Sequence, residues 1–493
     1  LNSWVIKAQS HITVLVIKEG LIMRHSIIRK SLVSLAVIGA LGLSACGGGS
    51  GSGSGSATTS GNLSSGVITG FGSVFVNSVE YDTSGASIMV NGIPANESDL
   101  AVGMVVNLRG TANANGTTGS ALSIDYRDDL EGIVQQNNFT ASSTLTVMGL
   151  TVRVDSTTVF ESTLPAVTGF DSIQVGNIVE ISGNRLDNNT IQATRVEVKK
   201  ASQNGDEIEV KGTISMLTAT TFKIGTLTVD YSAAASLPGI ALSDGLFVEV
   251  KSIQGIDSVS GNLIASGIKL ESNGKSGIEG NDGEEVELSG PIGTNPSSTG
   301  FSLNGTPVLI TTDTTFKHGT VSGIAEGVQV EVEGALNNNG ELLADKISFH
   351  EATETEAQAT INAVDSTAGT LTLMGLTVKV NTSTLFKDNG SNPVRFFGLD
   401  DLVAGVDRVE LSFYKDDVTG DLVAVKLKRE DGSSDQLNGT VESLGSGTIT
   451  VAGVSVDISA LSTSPLLGDK VEIKGSYDST GGQLIATSLK IDN

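Results

Sequence analysis

Gly327-Val328-Gln329-Val330-Glu331-Val332-Glu333-Gly334, followed by Asn337-Asn338-Asn339-Gly340 and then Ala344-Asp345-Lys346-Ile347, is the stretch from which the fold can be read. Apolar and polar residues alternate with period two, the period of a strand with one buried face. The asparagine–glycine run tolerates the positive φ that tight hairpins require. A second alternating segment then returns. The unit reads as a β-hairpin with valines inward and Glu331 toward solvent.

The same unit recurs along the chain. Its leading glycine is Gly103, Gly176, Gly245, Gly327, Gly405 and Gly468, at intervals of 63 to 82 residues. Each is followed by an alternating strand that usually ends at another glycine. By the same alternation Glu180, Glu249, Glu410 and Glu472 are expected to face solvent like Glu331. Opening strands precede each hairpin, and a middle hairpin is expected to turn at Gly92, Gly149, Gly225, Gly305, Gly375 and Gly453. Two copies still share eight of 13 residues, MGLTVRVDSTTVF from Met148 and MGLTVKVNTSTLF from Met374. Duplication accounts for this better than chance.

No long helical period is present. A sheet of five or six short strands must hide its edges, and closure into a barrel does so. The predicted fold is therefore all-β: a tandem array of about six small OB-like β-barrel modules, with a Greek-key sandwich as the alternative. The modules are placed at 66–127, 128–200, 207–271, 285–351, 356–430 and 435–493. Short polar linkers separate most of them, and an extended line and a folded-back cluster are both open.

Composition narrows the partners. The chain carries 30 Lys+Arg and 55 Asp+Glu, a net charge of −25. Such a field repels phosphate backbones and anionic lipid surfaces, so nucleic acid is a poor partner. With a single cysteine no internal disulfide can staple the body, which must rely on apolar packing and backbone pairing.

That cysteine, Cys46, ends Leu43-Ser44-Ala45-Cys46 and precedes Gly47-Gly48-Gly49. Arg24, Arg29 and Lys30 lead into an apolar run from Leu32 to Leu43. This is the order of a secretory signal: charged, apolar, then small residues. The run is about a dozen residues, whereas a membrane span needs roughly 20. The segment resembles the lipobox of bacterial lipoproteins, which implies lipidation of Cys46, cleavage before it and membrane attachment through the lipid. Glycine rather than aspartate at position 47 implies the outer membrane in a Gram-negative host. On this reading Met23 is the start, residues 1–22 are an over-extended start, 23–45 are the signal peptide, and 46–65 are a flexible Gly/Ser tether.

Gly70-Phe71-Gly72-Ser73-Val74-Phe75-Val76-Asn77, with Val79, Tyr81 and Asp82 and the Val102-Gly103-Met104-Val105-Val106 strand, resembles a domain of unknown function (family 5666) found in bacterial lipoproteins, often in several copies. The resemblance is most specific in this first copy and weakens later. It implies a β fold and an envelope location, and brings no activity or site residues.

Catalytic signals are weak. Gly70-Phe71-Gly72 starts like a dinucleotide loop, but Phe75 replaces the third glycine and no helix follows. Gly274-Lys275-Ser276 lacks the first glycine of a phosphate loop. His318 and His350 have no thiol or zinc-like spacing nearby. Two acidic glycine-rich loops could hold a hard cation such as Ca2+: Glu279, Asp282 and Glu284 with Glu285 and Glu287, and Asp416, Asp417 and Asp421 around Gly420. Neither has EF-hand spacing, and solvated turns are the plainer reading. Phe71, Phe75, Tyr81 and Tyr126 are the best aromatic ligand platform, and are read first as core. The expectation is a non-enzymatic, lipid-anchored envelope protein that displays β modules for binding or spacing, with an envelope polymer or protein as partner. The alternative is a glycan- or small-ligand-binding lipoprotein.

Overall fold

The structure, a computed structural model, describes residues 62–114, 116–350 and 355–492. The expected start at 1–22, the signal at 23–45, the lipobox Leu43-Ser44-Ala45-Cys46 and the tether as far as residue 61 lie outside the described residues. The remainder is β, with one four-residue α-helix at Phe139–Ser142 and five short 3-10 turns. The strands form three 12-stranded sheets.

Three five-stranded rings close completely. In the first, Asn62–Phe71 pairs with Val74–Val76, which pairs with Val79–Asp82, then Thr118–Tyr126, then Val105–Ala112 and back to Asn62–Phe71. The second runs Leu130–Asn137, Thr144–Val147, Leu150–Arg153, Thr190–Lys200 and Ile178–Arg185. The third runs Asp435–Leu444, Thr448–Val451, Val454–Asp457, Gln483–Asp492 and Lys470–Asp478. Residues 208–270, 285–349 and 355–430 carry ladders in the same order with the ring interrupted. In 285–349 the missing step is a single bridge between Ile292 and Leu303.

The leading glycine makes a double clasp. Gly327 N donates to Ile292 O at 2.8 Å, and Ile292 N donates to Val328 O at 2.9 Å. Gly327 has φ of +80°, a region that costs a residue with a Cβ. The glycine N–H bonds an opening-strand carbonyl in the same way at Gly103, Gly176, Gly245, Gly405 and Gly468. The clasp pins each opening strand to the start of the hairpin strand, and this explains the period. Behind it the core fills: Val330, Val332 and Ile347 are fully buried, each contributing about 1.5–3 kcal/mol.

Four details depart from expectation. First, the hairpin strand does not end at its trailing glycine. Gln329–Leu336 continues past Gly334, and the register shifts there. A Cβ on Gly334 would stand 2.0 Å from Leu343 O, so the glycine permits a β-bulge that turns the strand around the barrel. Second, in the first barrel the middle turn is Asn77-Ser78, both at positive φ, and Gly92 closes a further hairpin, Ser87–Val90 with Ile93–Ala95. Third, the tether does not reach Ser65. The chain is a strand from Asn62, and Leu63 and Ser64 are each 2 % exposed. Small serines fit because this strand is paired on both sides.

The fourth departure concerns the glutamates. Glu180 and Glu249 are buried, and Glu331, Glu410 and Glu472 are half-buried. Opening strands pair with one another between regions, and this covers the face expected to meet water. Leu63, Ser64 and Ser65 pair in parallel with Val286, Glu287 and Leu288. Leu130 pairs with Val210, and Ala357 with Leu437, both antiparallel. The glutamates are compensated by lysines: Glu180 by Lys199, Glu410 by Lys428, Glu249 by Lys269 and Lys251. Residues 62–492 thus belong to one compact unit, the folded-back arrangement rather than the extended line.

Candidate functional site

Four β regions meet around an open chamber of about 410 Å³. The strand Asn62–Phe71 and the Asn77-Ser78 turn supply one wall, and the 155–157 loop with Asn184 and Gln192 a second. The ends of Gln329–Leu336 and Leu342–Phe349 supply a third, and residues 381–385 with Tyr414 and Val423–Val425 the fourth. Polar ties between regions hold the walls together. Ser289 Oγ donates to Asn77 Oδ1 at 2.8 Å, the Ser78 and Ser383 hydroxyls are 2.5 Å apart, and Lys426 Nζ donates to Ser156 O at 2.6 Å. Nearby, Arg395 lies 4.1 Å over the Phe71 ring and donates to the carbonyl oxygens of Ser98 and Leu100.

The chamber is polar but poor in charge. Apart from Asp155, Glu331 and His350 its lining carries no ionisable carboxylate, lysine, arginine or histidine. Asp155 is occupied by its own turn and by Gln192 Nε2 at 3.0 Å. Other groups remain unmet. Asn184 is 2 % exposed and its Oδ1 has no hydrogen-bond partner; a buried acceptor left so costs about 1–3 kcal/mol. The side chains of Gln329, Glu331 and His350 likewise make no hydrogen bond among the described residues. Burial and the Glu333 charge raise the Glu331 pKa, against Lys346 and Lys317. Crowding by neighbouring atoms, then the charge of His318, lower that of His350. Both changes favour the neutral forms. Gln329 and His350 sit together because His350 N donates to Gln329 O at 2.9 Å across adjoining strand ends.

A second polar cluster lies at the seam between the second barrel and residues 208–270. Carboxylate oxygens of Asp128, Glu131 and Glu180 lie within 4.8 Å of one another. The pairing places Glu131 opposite both Glu180 and Glu209. Lys211, 5 % exposed, enters the cluster and donates to Asp128 Oδ1 at 2.8 Å and to Glu209 Oε1 at 3.1 Å. Tyr126 and Lys199 hold Glu180. Burial drives the Asp128 pKa well up despite Lys211. Burial would also raise Glu209, but Lys211 and a hydrogen bond from Asp128 outweigh it and bring Glu209 down to about 2. Burial thus favours the neutral form of Asp128 and Lys211 the charged form of Glu209, beside one ammonium. Carboxylates are the ligand type of a hard cation, but here protein cations already supply the countercharge.

The acidic loops singled out in the sequence lie elsewhere. Asp416 Oδ1 accepts the N–H groups of Val418 and Thr419 inside its own turn, Asp421 pairs with Lys379, and Asp417 is exposed. Glu284 pairs with Arg109 across the seam with the first barrel, while Glu279 and Asp282 are exposed. The structure does not bring either set together as a three-carboxylate group among the described residues. Phe71, Tyr81 and Tyr126 are core side chains, and Phe75 is half-buried. No linear motif marks Asn184, Gln329, Glu331 and His350, or Asp128 and Lys211; only strand pairing assembles them.

Four segments, residues 131–197, 289–348, 358–429 and 438–490, match the family described as Domain of unknown function (DUF5666). They cover just over half of the chain. The chain belongs to this family. The family match runs in tandem across 131–490 and leaves out residues 70–77, the segment in which the sequence resemblance is most specific. No curated protein matches the chain. Among solved structures, one titled drosophila Unr CSD456 aligns at 15 % identity over 44 % of this chain and 99 % of that chain, with a TM-score of 0.17.

Proposed function

We propose that this DUF5666 protein is a non-enzymatic, lipid-anchored component of the cell envelope, attached to the outer membrane through Cys46 and facing the periplasm or the cell surface. Its body is six OB-like modules, the three closed barrels and the three interrupted rings between them. They act as one rigid platform that holds binding surface away from the bilayer. The observation that carries this reading is the pairing of opening strands between regions. It removes sheet edges that would otherwise recruit other chains, and it joins the modules into one body. The net charge of −25 suits a soluble body that avoids anionic lipid.

The test is localisation. Cys46→Ala should move the full chain from the membrane to the soluble fraction without changing its melting temperature. Retention of this variant in the membrane would refute the anchor. A second reading, binding of a glycan or another small ligand, is favoured by the chamber, whose unmet polar groups come from separate regions.

A further inference from the structure

We propose that the chamber binds a neutral carbohydrate of one or two sugar rings through Asn184, Gln329, Glu331 and His350, with Tyr414 forming part of the wall. This rests on the ligand-binding reading above. The volume of about 410 Å³ lies in the range of small-molecule sites. The unmet groups are an amide oxygen buried in the wall, a second amide, a carboxyl and an imidazole. The amide and the imidazole each offer a donor and an acceptor, the carboxyl offers acceptor oxygens, and sugar hydroxyls both donate and accept. The lining also includes Val67, Leu385, Val423 and Val425, apolar surface suited to the C–H faces of a sugar ring.

Charge decides against the anionic alternatives. The lining holds no lysine or arginine. An anionic ligand would lose its hydration and meet Asp155 and Glu331 without a counter-ion. A cationic ligand would engage those carboxylates and the Asn184 oxygen but, having no acceptor, would leave the Gln329 amide N–H groups unmatched. A neutral polyol matches all four groups.

The experiment is isothermal titration of the purified full chain with glucose, galactose, N-acetylglucosamine, maltose and cellobiose, alongside glucuronate and spermidine. At least one neutral saccharide should bind. Gln329→Ala and His350→Ala should each weaken that binding about tenfold or more. Both side chains are solvent-accessible, so the melting temperature should stay at the wild-type value. Asn184→Asp, which keeps the side-chain shape, should also weaken it. Preference for glucuronate or spermidine would overturn the carbohydrate assignment and leave the ligand-binding reading standing. So would saccharide binding that neither variant changes, since it would place the sugar outside the chamber. Absence of binding by every probe would overturn both. The Cys46→Ala fractionation reports on the anchor independently of all these outcomes.

Discussion

Glu287 should make the protein less stable as pH rises through neutrality, and Glu287→Gln should remove that loss. The carboxyl lies on the seam where Ser64 pairs with Glu287 and Glu287 pairs with Glu333. Burial, then the charges of Glu331 and Glu333, raise its pKa from 4.5 to about 8, against Lys346 and Asn77. In the unfolded chain this carboxyl ionises near its ordinary value. Between pH 4.5 and 8 the folded protein therefore binds the extra proton, and stability falls with rising pH. The contribution is fully present below pH 4.5 and is lost through pH 8. At about 1.4 kcal/mol per pH unit, the window allows at most about 5 kcal/mol. Water at this half-buried carboxyl screens the effect, and about 2 kcal/mol is the expected size. The assay is urea unfolding of wild type and Glu287→Gln from pH 5 to pH 9, followed by circular dichroism. Wild type should lose stability across this range relative to the variant, and the variant should be the more stable at pH 9. If the two curves stay parallel, Glu287 is not a proton-holding group and the argument for this seam fails.

Two further substitutions probe the architecture. Gly334→Ala puts a Cβ against Leu343 O; it should cost about 2–4 kcal/mol, by forcing the bulge to shift, and lower the melting temperature seen in calorimetry. Lys211→Met leaves Asp128 and Glu209 without their shared ammonium and should cost about 3–5 kcal/mol at pH 7.5. Without the lysine the two carboxyls hold protons more strongly, so urea unfolding at pH 5 should show a smaller deficit; a deficit independent of pH would contradict the charge-compensating role of Lys211.

The hairpins were legible because their causes are local. Alternation, the asparagine–glycine turn and the leading glycine all lie within one hairpin, and Gly327 to Ile347 suffices to show them. What escaped is non-local. Glu331 looks solvent-facing from its own strand, and only the strand laid against its region covers it. Asn62–Ser65 reads as the end of a Gly/Ser tract, yet its backbone is held by residues 107–110 on one side and by residues 286–288 on the other, more than 200 residues away. Gly92 is a turn former in the sequence, while the barrel turn falls on Asn77-Ser78. The chamber follows the same rule. Asn184 and His350 are ordinary surface-strand residues until four regions converge on them.

The double pairing of the first strand has a mechanical consequence. Asn62–Val67 lies against Val105–Gly110, and Leu63–Ser65 also lies against Val286–Leu288. A pull delivered along the chain from the N-terminal side of Asn62 loads both ladders in shear, so many hydrogen bonds must break together rather than one after another. Force entering there is divided at once between two stretches far apart in the chain, and the assembly resists extraction at the point where a leash would strain it most.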